Sequence, residues 1–505
     1  MTSDQSKPAG PDLARGIAPS EIPDGGMIQG HVGDEAVLVA RKREQYYAIG
    51  ATCSHYGGPL AEGLMADDTV HCPWHHARFC LRTGEALGAP AFLPVSCWKV
   101  EQQGGKIFVR EKAAPPPTRT TRAPKNERMV IVGGGAAGFA SAEMLRREGF
   151  EGSVTLVSAD DAVPYDRPNC SKDYLAGSAP EEWMPLRPEE YYKDQAIALE
   201  LKSEVVALDA RERQVSLKNG RRIPFDKLLL ATGAEPIRLD IPGANDPRVH
   251  VLRSLSDSRT IIGAAKGAKR AVVIGASFIG LEAAAALRAR EIEVHVVAPE
   301  ARPLERILGR EFGDFIRALH EEHGVVFHLG ETPASLTGGE VKLSGGSTLK
   351  ADLVVMGVGV RPRIALAEKA GLKIDKGVVT NECLETSAPG VYAAGDIARW
   401  PDARFGGSLR IEHWVVAERQ GQTAARNMLG AKEPFKEVPF FWSQHYDVPI
   451  NYVGHAERWE GVQIDGDVKN RDCIVRYKAR GKVLAAASIY RDVDSLEEEV
   501  ALARG

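Results

Sequence analysis

Two glycine fingerprints of one kind stand in this chain, and they fix most of what it can fold into. In "MVIVGGGAAGFASAEMLRREG", an apolar strand from Met129 runs into Gly133-x-Gly135-x-x-Gly138 and then a helix opened by Ala136 and Ala137. A second strand, "SVTLVSADD", follows. The first glycine allows the turn, the second lets the backbone approach a pyrophosphate, and the third lets helix and strand pack closely. The helix N-terminus then faces the anion. The copy in "AVVIGASFIGLEAAAALRAR" reads Gly275-x-Ser277-x-x-Gly280, with Ser277 in place of the middle glycine and Phe278 after it. The strand "EVHVVAPE" follows and ends at Glu300. Two such units imply two bound dinucleotides. The competing reading is a pair of nucleotide-free folds of the same shape.

The rest of the chain divides around them. Its 505 residues suggest about three or four domains. "EKAAPPPTRTTRAPKN" has four prolines and no apolar periodicity, which predicts a semi-rigid tether over 113–126 that could reach about 40 Å. Before it, "EAVLVARK", "QYYAIG" and "KIFVR" alternate with turns, as in a small antiparallel β domain. After it, strands alternate with helices, which predicts parallel sheets. Near the end, "CIVRYKARGKVLAAASIY" predicts a hairpin and "DSLEEEVALARG" a closing helix. A net charge of -4 with both signs mixed points away from nucleic acid. No apolar run reaches the roughly 18 residues that span a bilayer. The N-terminal stretch lacks the pattern of a secretory signal. Seven cysteines are too few for a disulfide framework, which predicts a reducing cytoplasm.

Two of those cysteines stand beside histidines. Cys53-x-His55 and Cys72-x-x-His75 lie in Gly/Pro-rich loops with 16 residues between them. Zinc fingers place two cysteines before two histidines, and this order is different. It suits a cluster in which one iron takes the two thiolates and the other takes the two imidazoles. A zinc site, or histidines merely satisfied in a loop, is the competing reading. On these residues the segment resembles a Rieske 2Fe–2S domain over roughly 12–112. In respiratory-complex Rieske proteins each loop carries a further cysteine, and the two are disulfide-linked. Gly58 and Trp74 stand at those places here, and Ala77 stands where a serine bonds a bridging sulfide. Fewer hydrogen bonds to sulfur imply a potential near the low end of the Rieske range, about −150 mV. His71 and His76 fall outside the pattern and are expected behind the ligands or exposed. Cys80 and Cys97 are expected to pack in the core.

"LLLATGAEP", with Thr232 and Gly233, and "GVYAAGDIA", with Asp396, resemble the corresponding pieces of two-dinucleotide flavoprotein reductases. "VPYDRPNCSKDYLAG" narrows the resemblance to oxygenase-coupled ferredoxin reductases and the apoptosis-inducing-factor family. That resemblance implies that Arg167 binds the FAD diphosphate region and Lys172 lies by the flavin ring. It implies that Glu282 pairs with Lys172 and that Asp396 meets the ribityl chain. Glu412, His413, Trp414 and Trp442 are implied beside the flavin and nicotinamide, and Gly359 at the NAD(P) site. Three departures stand out. Ala159 sits where the family has an acid and Asp160 follows. Ile237 precedes Arg238. Cys170, with no second cysteine close by, speaks for packing and against a dithiol mechanism. Glu300 favours NADH, since a carboxylate accepts from the ribose 2′-hydroxyl; Arg302 close by keeps NADPH open.

The implied fold is multidomain. A small all-β Rieske domain (12–112) precedes α/β Rossmann-like FAD (127–245 and 367–430) and NAD(P) (246–366) domains. A C-terminal α+β domain of the dimerisation type (431–505) completes it. The implied activity is that of a cytoplasmic FAD-dependent NAD(P)H oxidoreductase, with Lys172 and Glu282 at its centre. Electrons would pass through FAD to the chain's own 2Fe–2S cluster and on to an external one-electron acceptor protein. A redox sensor with slow turnover is the alternative, and a homodimer is implied by the family alone. "ALHEEHGVVFHLG" offers His323 and His328, but a helix end and a strand are the wrong setting for an oxygenase iron.

Overall fold

The computed structural model describes residues 8–116, 119, 121, 123–405 and 407–505. Residues 117, 118, 120 and 122 of the expected tether, and the first seven residues of the chain, lie outside that set. The described residues form two compact units. One comprises those up to Arg119 together with Arg491–Gly505, and the other those from 121 to Tyr490.

In the first unit a five-stranded antiparallel sheet has the order Met27–Val32, Glu35–Lys42, Gln45–Gly50, Cys97–Gln103, Lys106–Lys112. Val37 and Val39 pack with Trp98, Ile107 and Val109 on one face. Leu38 and Ala40 pack with Val70, Phe79, Cys53 and Cys72 on the other. Both faces are covered, so this strand reads as a continuous apolar run instead of an alternation. Four short strands, Leu64–Ala66, Thr69–His71, Arg78–Cys80 and Ala86–Gly88, make a second antiparallel sheet.

Two parallel sheets organise the second unit. One has the order Ile197–Glu200, Ser153–Val157, Arg128–Val132, Lys227–Leu230, Val391–Ala393. The other runs Val249–Val251, Leu353–Met356, Arg270–Ile274, Glu293–Ala298, Val325–Leu329. In each, the strand that leads into a fingerprint is central and buried, as a parallel strand covered by helices must be. Val391–Ala393 joins the first sheet although the whole second sheet intervenes in the chain. A five-stranded antiparallel sheet follows, containing the hairpin of Asp472–Ala479 with Lys482–Ile489.

The last helix, Asp492–Arg504, changes the expected division of the chain. The reading of 431–505 as one domain places it with this sheet, whereas the structure places it in the first unit. Ser495, Leu496 and Glu499 form its buried face, and it lies against the strand Leu64–Ala66. A stripe so short defines a buried side without naming what buries it. No helix among the described residues is long and apolar enough to cross a membrane.

The two third glycines sit where helix and strand touch. A Cβ at Gly138 would stand 1.8 Å from Gly133 O, and one at Gly280 would stand 2.2 Å from Gly275 O. Neither oxygen can retreat without moving its turn. Gly138→Val is therefore expected to cost on the order of 3 kcal/mol and to abolish the yellow colour of bound flavin. Visible absorbance and thermal unfolding of the purified variant check this.

Candidate cofactor sites

The two Cys–His loops of the first unit are built to one pattern. Cys53 N–H bonds Gly58 O at 2.8 Å, and Gly57 N–H returns to Cys53 O at 3.0 Å. Cys72 N–H bonds Ala77 O at 2.8 Å, and His76 N–H returns to Cys72 O at 3.2 Å. The fifth residue of each turn is left-handed: Gly57 with φ 78°, His76 with φ 58°. The Cys53 and Cys72 thiols lie close enough to shift each other's ionisation. The His55 and His75 rings meet edge to face with centroids 5.0 Å apart. Backbone N–H groups point at sulfur, from His55 toward Cys53 and from Trp74 and His75 toward Cys72.

This donor set fits a 2Fe–2S cluster. Side by side, the thiols oppose each other: the neighbouring Cys72 lowers the Cys53 pKa, while Cys53 and burial raise that of Cys72. Two thiolates at such range need positive charge between them, which a ferric ion supplies. Among the described residues no three His, Cys, Asp or Glu side chains surround one point. Two irons with two protein ligands each do not require it. His71 and His76 are both buried, His71 against Thr69 and His76 against Glu499. Cys80 and Cys97 are only partly buried.

In the second unit both fingerprints open on one cavity of about 2360 Å³. Its walls include Gly133, Gly135, Ala136, Ala137, Asp160, Arg167, Thr232, Gly233 and Asp396. They also include Gly275, Ser277, Phe278, Glu300, Gly359, Glu412, His413, Trp414 and Trp442, together with Lys172 and Glu282. Gly138 and Gly280 stand behind the wall as packing contacts. Gly133 turns at φ 118° and Gly275 at φ 102°, values open to glycine alone. A Cβ at Gly135 would lie 3.6 Å from the Arg167 guanidinium, so that cation faces the turn where a pyrophosphate fits. The loop, its helix N-terminus and the arginine together suit an FAD diphosphate.

Ser277 does not obstruct the second turn. Its hydroxyl donates to Gly357 O at 2.7 Å and accepts from Gly280 N–H at 3.2 Å, capping the helix Phe278–Ala289. Glu300 lines the cavity, while Arg302 is occupied with Asp314 at 2.7 Å and with Glu305. Arg306, not anticipated from sequence, also reaches the wall. Asp160 accepts from the Tyr165 hydroxyl at 2.8 Å. Asp396 is paired with Arg253, a second unanticipated cation. Arg238 bonds the carbonyls of Ala244 and Val249 instead of the cavity. Cys170 is buried, and desolvation pushes its thiol up to about 12.

Lys172 and Glu282 meet as expected, with Nζ–Oε2 at 3.0 Å and Glu282 only 3 % exposed. The sequence did not reveal how this carboxylate is held. Ser171 donates to Oε2 at 2.5 Å, and Ser443 donates to Oε1 at 2.6 Å. Behind Ser443 lie His445 at 3.2 Å, then His320 at 3.2 Å, then the Tyr446 hydroxyl at 3.4 Å. With each ring neutral and donating through Nε2, every proton in this chain points toward Glu282. Burial lowers the His445 pKa to about 4 and that of His320 well below its usual range, which keeps both rings neutral. Ser443 and His445 lie beside Trp442 in "PFFWSQHYD", but nothing in that string says which side chains turn inward.

A family model described as pyridine nucleotide-disulphide oxidoreductase matches residues 127–421. One described as Rieske [2Fe-2S] domain matches residues 15–99. The chain belongs to the pyridine nucleotide-disulphide oxidoreductases and carries a Rieske domain ahead of the reductase fold. It is an FAD-dependent NAD(P)H oxidoreductase with FAD, NADH and a Rieske cluster as cofactors. Apoptosis-inducing factor 3 of Homo sapiens is 32% identical over 492 residues, covering 94% of this chain and 81% of that protein. Rhodocoxin reductase of Rhodococcus erythropolis is 37% identical over 323 residues, covering 63% and 76%. Among solved structures, the covalent putidaredoxin reductase–putidaredoxin complex superposes with TM-score 0.72 at 34% identity. It covers 75% of this chain and 93% of that one.

Two predictions follow from the geometry. A Cβ at Gly58 would stand 2.7 Å from Cys72 Sγ, so Gly58→Val is expected to lower iron per chain at least twofold with flavin content unchanged. Metal analysis of the variant checks it. The second concerns Asp166, which is buried and whose carboxyl desolvation raises from 3.8 to about 6. Between those values the folded state holds the proton more tightly, so stability falls as pH rises through the window and stays lower above it. Asp166→Asn is expected to recover about 2–3 kcal/mol at pH 8 and nothing at pH 3. Thermal unfolding at the two pH values measures the difference.

Proposed function

We propose that this chain takes hydride from NADH and delivers electrons singly, through its own Rieske cluster, to an external acceptor protein. The acceptor class is an oxygenase component, a ferredoxin or a haem protein. The observation that carries the reading is the Lys172–Glu282 pair, fixed from both sides in a cavity shared by two dinucleotide turns. When bound, FAD accepts a hydride and releases single electrons, the form in which a Rieske cluster takes them.

The protein's share is orientation and charge. Arg167 and the Gly133–Gly138 turn hold the diphosphate. The Lys172 ammonium, anchored on Glu282, favours negative charge at the neighbouring ring. Glu282 keeps that ammonium in place because its own oxygens are already filled by Ser171 and Ser443. His413 is neutral, its pKa lowered by burial to about 3, so it packs against Phe441 without adding charge. Glu300 selects the ribose hydroxyl of NADH, while Arg306 on the same wall leaves room for NADPH as a poorer substrate.

The mixed-sign surface, net charge -4, supports a protein acceptor over nucleic acid. Seven cysteines without a disulfide support a cytoplasmic setting. A homodimer belongs to the same proposal. The alternative reading is a redox sensor or interaction protein of the apoptosis-inducing-factor type that turns over slowly; the chain's likeness to apoptosis-inducing factor 3 extends along 94% of it.

Anaerobic NADH addition separates the two. The reductase reading expects flavin bleaching within the dead time of turnover, followed by the anisotropic EPR signal of a reduced Rieske cluster. Flavin reduced over minutes, with the cluster left oxidised and no turnover on any acceptor, would establish the sensor.

A further inference from the structure

The second cluster loop does something the first does not. In the first turn the left-handed residue is Gly57, which takes φ 78° without steric cost. In the second the same position is His76, a branched ring at φ 58° directly after the ligand His75. A side chain enters that region less readily than glycine does, and at His76 buried surroundings hold it there. His76 is fully buried, and its Nδ1–H donates to Glu499 Oε2 at 2.7 Å. Glu499 comes from the last helix of the chain and is 5 % exposed. Asp492 lies in the electrostatic neighbourhood of His76, and Glu62 in that of Asp492.

From this arrangement we infer that Glu499 is a positioning residue for the Rieske cluster, holding the His75 loop through His76 and placing a carboxylate behind the cluster ligands. The inference rests on the Rieske reading of the first unit. Partners behind metal ligands fix their orientation, and charge near an iron–sulfur cluster sets its potential. Glu499 contributes to both. The carboxylate lies 423 positions from His76, so no motif at the cluster announces it.

The holoenzyme tests this with three variants. Glu499→Ala removes the anchor and the charge, Glu499→Gln keeps the shape without the charge, and Glu497→Gln neutralises a neighbour on the exposed face of the same helix. Iron content, the g-values of the reduced cluster and its midpoint potential are measured, with flavin content as the check on the reductase unit. Glu499→Ala is expected to shift the g-values and lose at least half the iron. Glu499→Gln is expected to retain the iron and wild-type g-values with the midpoint moved upward, and Glu497→Gln to match wild type throughout. Wild-type midpoint and g-values in both Glu499 variants would overturn the inference, as would a midpoint shift in Glu497→Gln equal to that in Glu499→Gln. Should Glu499→Ala fail to fold, Glu499→Gln against Glu497→Gln decides alone. A wild-type protein without any Rieske signal would bring down the cluster reading itself, and the inference with it.

Discussion

A buried carboxylate has to be answered by charge or by donors, and at Glu282 three regions of the reductase unit answer together. Lys172 and Ser171 arrive from the segment after the first fingerprint, Glu282 from the helix of the second, and Ser443 from the C-terminal sheet. Removing any one leaves the others desolvated and unmatched. The interaction therefore couples assembly of the unit to the chemistry of its cavity. The ammonium is held by the same contacts that bring the three regions together. Ser443 passes that dependence inward to His445 and His320, which must stay neutral for the hydrogen bonds to close.

What could be read from the sequence was what local backbone geometry dictates. Gly133 and Gly275 need positive φ, and Gly138 and Gly280 lie within 2.2 Å of a carbonyl once given a Cβ; such requirements leave a spaced pattern of glycines. The cluster loops were legible for the same reason, because ligands in a tight turn must be neighbours in the chain. Ser277 stands in place of the middle glycine, and what its hydroxyl does there, capping the helix, was not legible. Arg253, Ser443, His445 and His320 were not legible, since each matters through a partner distant in sequence. Nothing in a string of residues marks a histidine as buried beside another.

The closing helix is the instructive case. The helix itself was legible, and its neighbour in the chain is the C-terminal sheet, so the reading of 431–505 as one domain placed it there. Its buried residues pack instead on Leu64–Ala66, and its carboxylate reaches a histidine in a cluster loop. The two loops share one backbone turn yet differ in how they sustain it. The first relies on the conformational freedom of Gly57, and the second on a hydrogen bond from outside the loop.

That helix also sets the timetable of synthesis. Domains made early on the ribosome ordinarily fold as soon as they emerge. Here the helix Asp492–Arg504 joins the N-terminal unit although the whole reductase unit precedes it in the chain, so it is supplied only after that unit has been translated. Until then His76, in the second cluster loop, stands without its carboxylate partner Glu499.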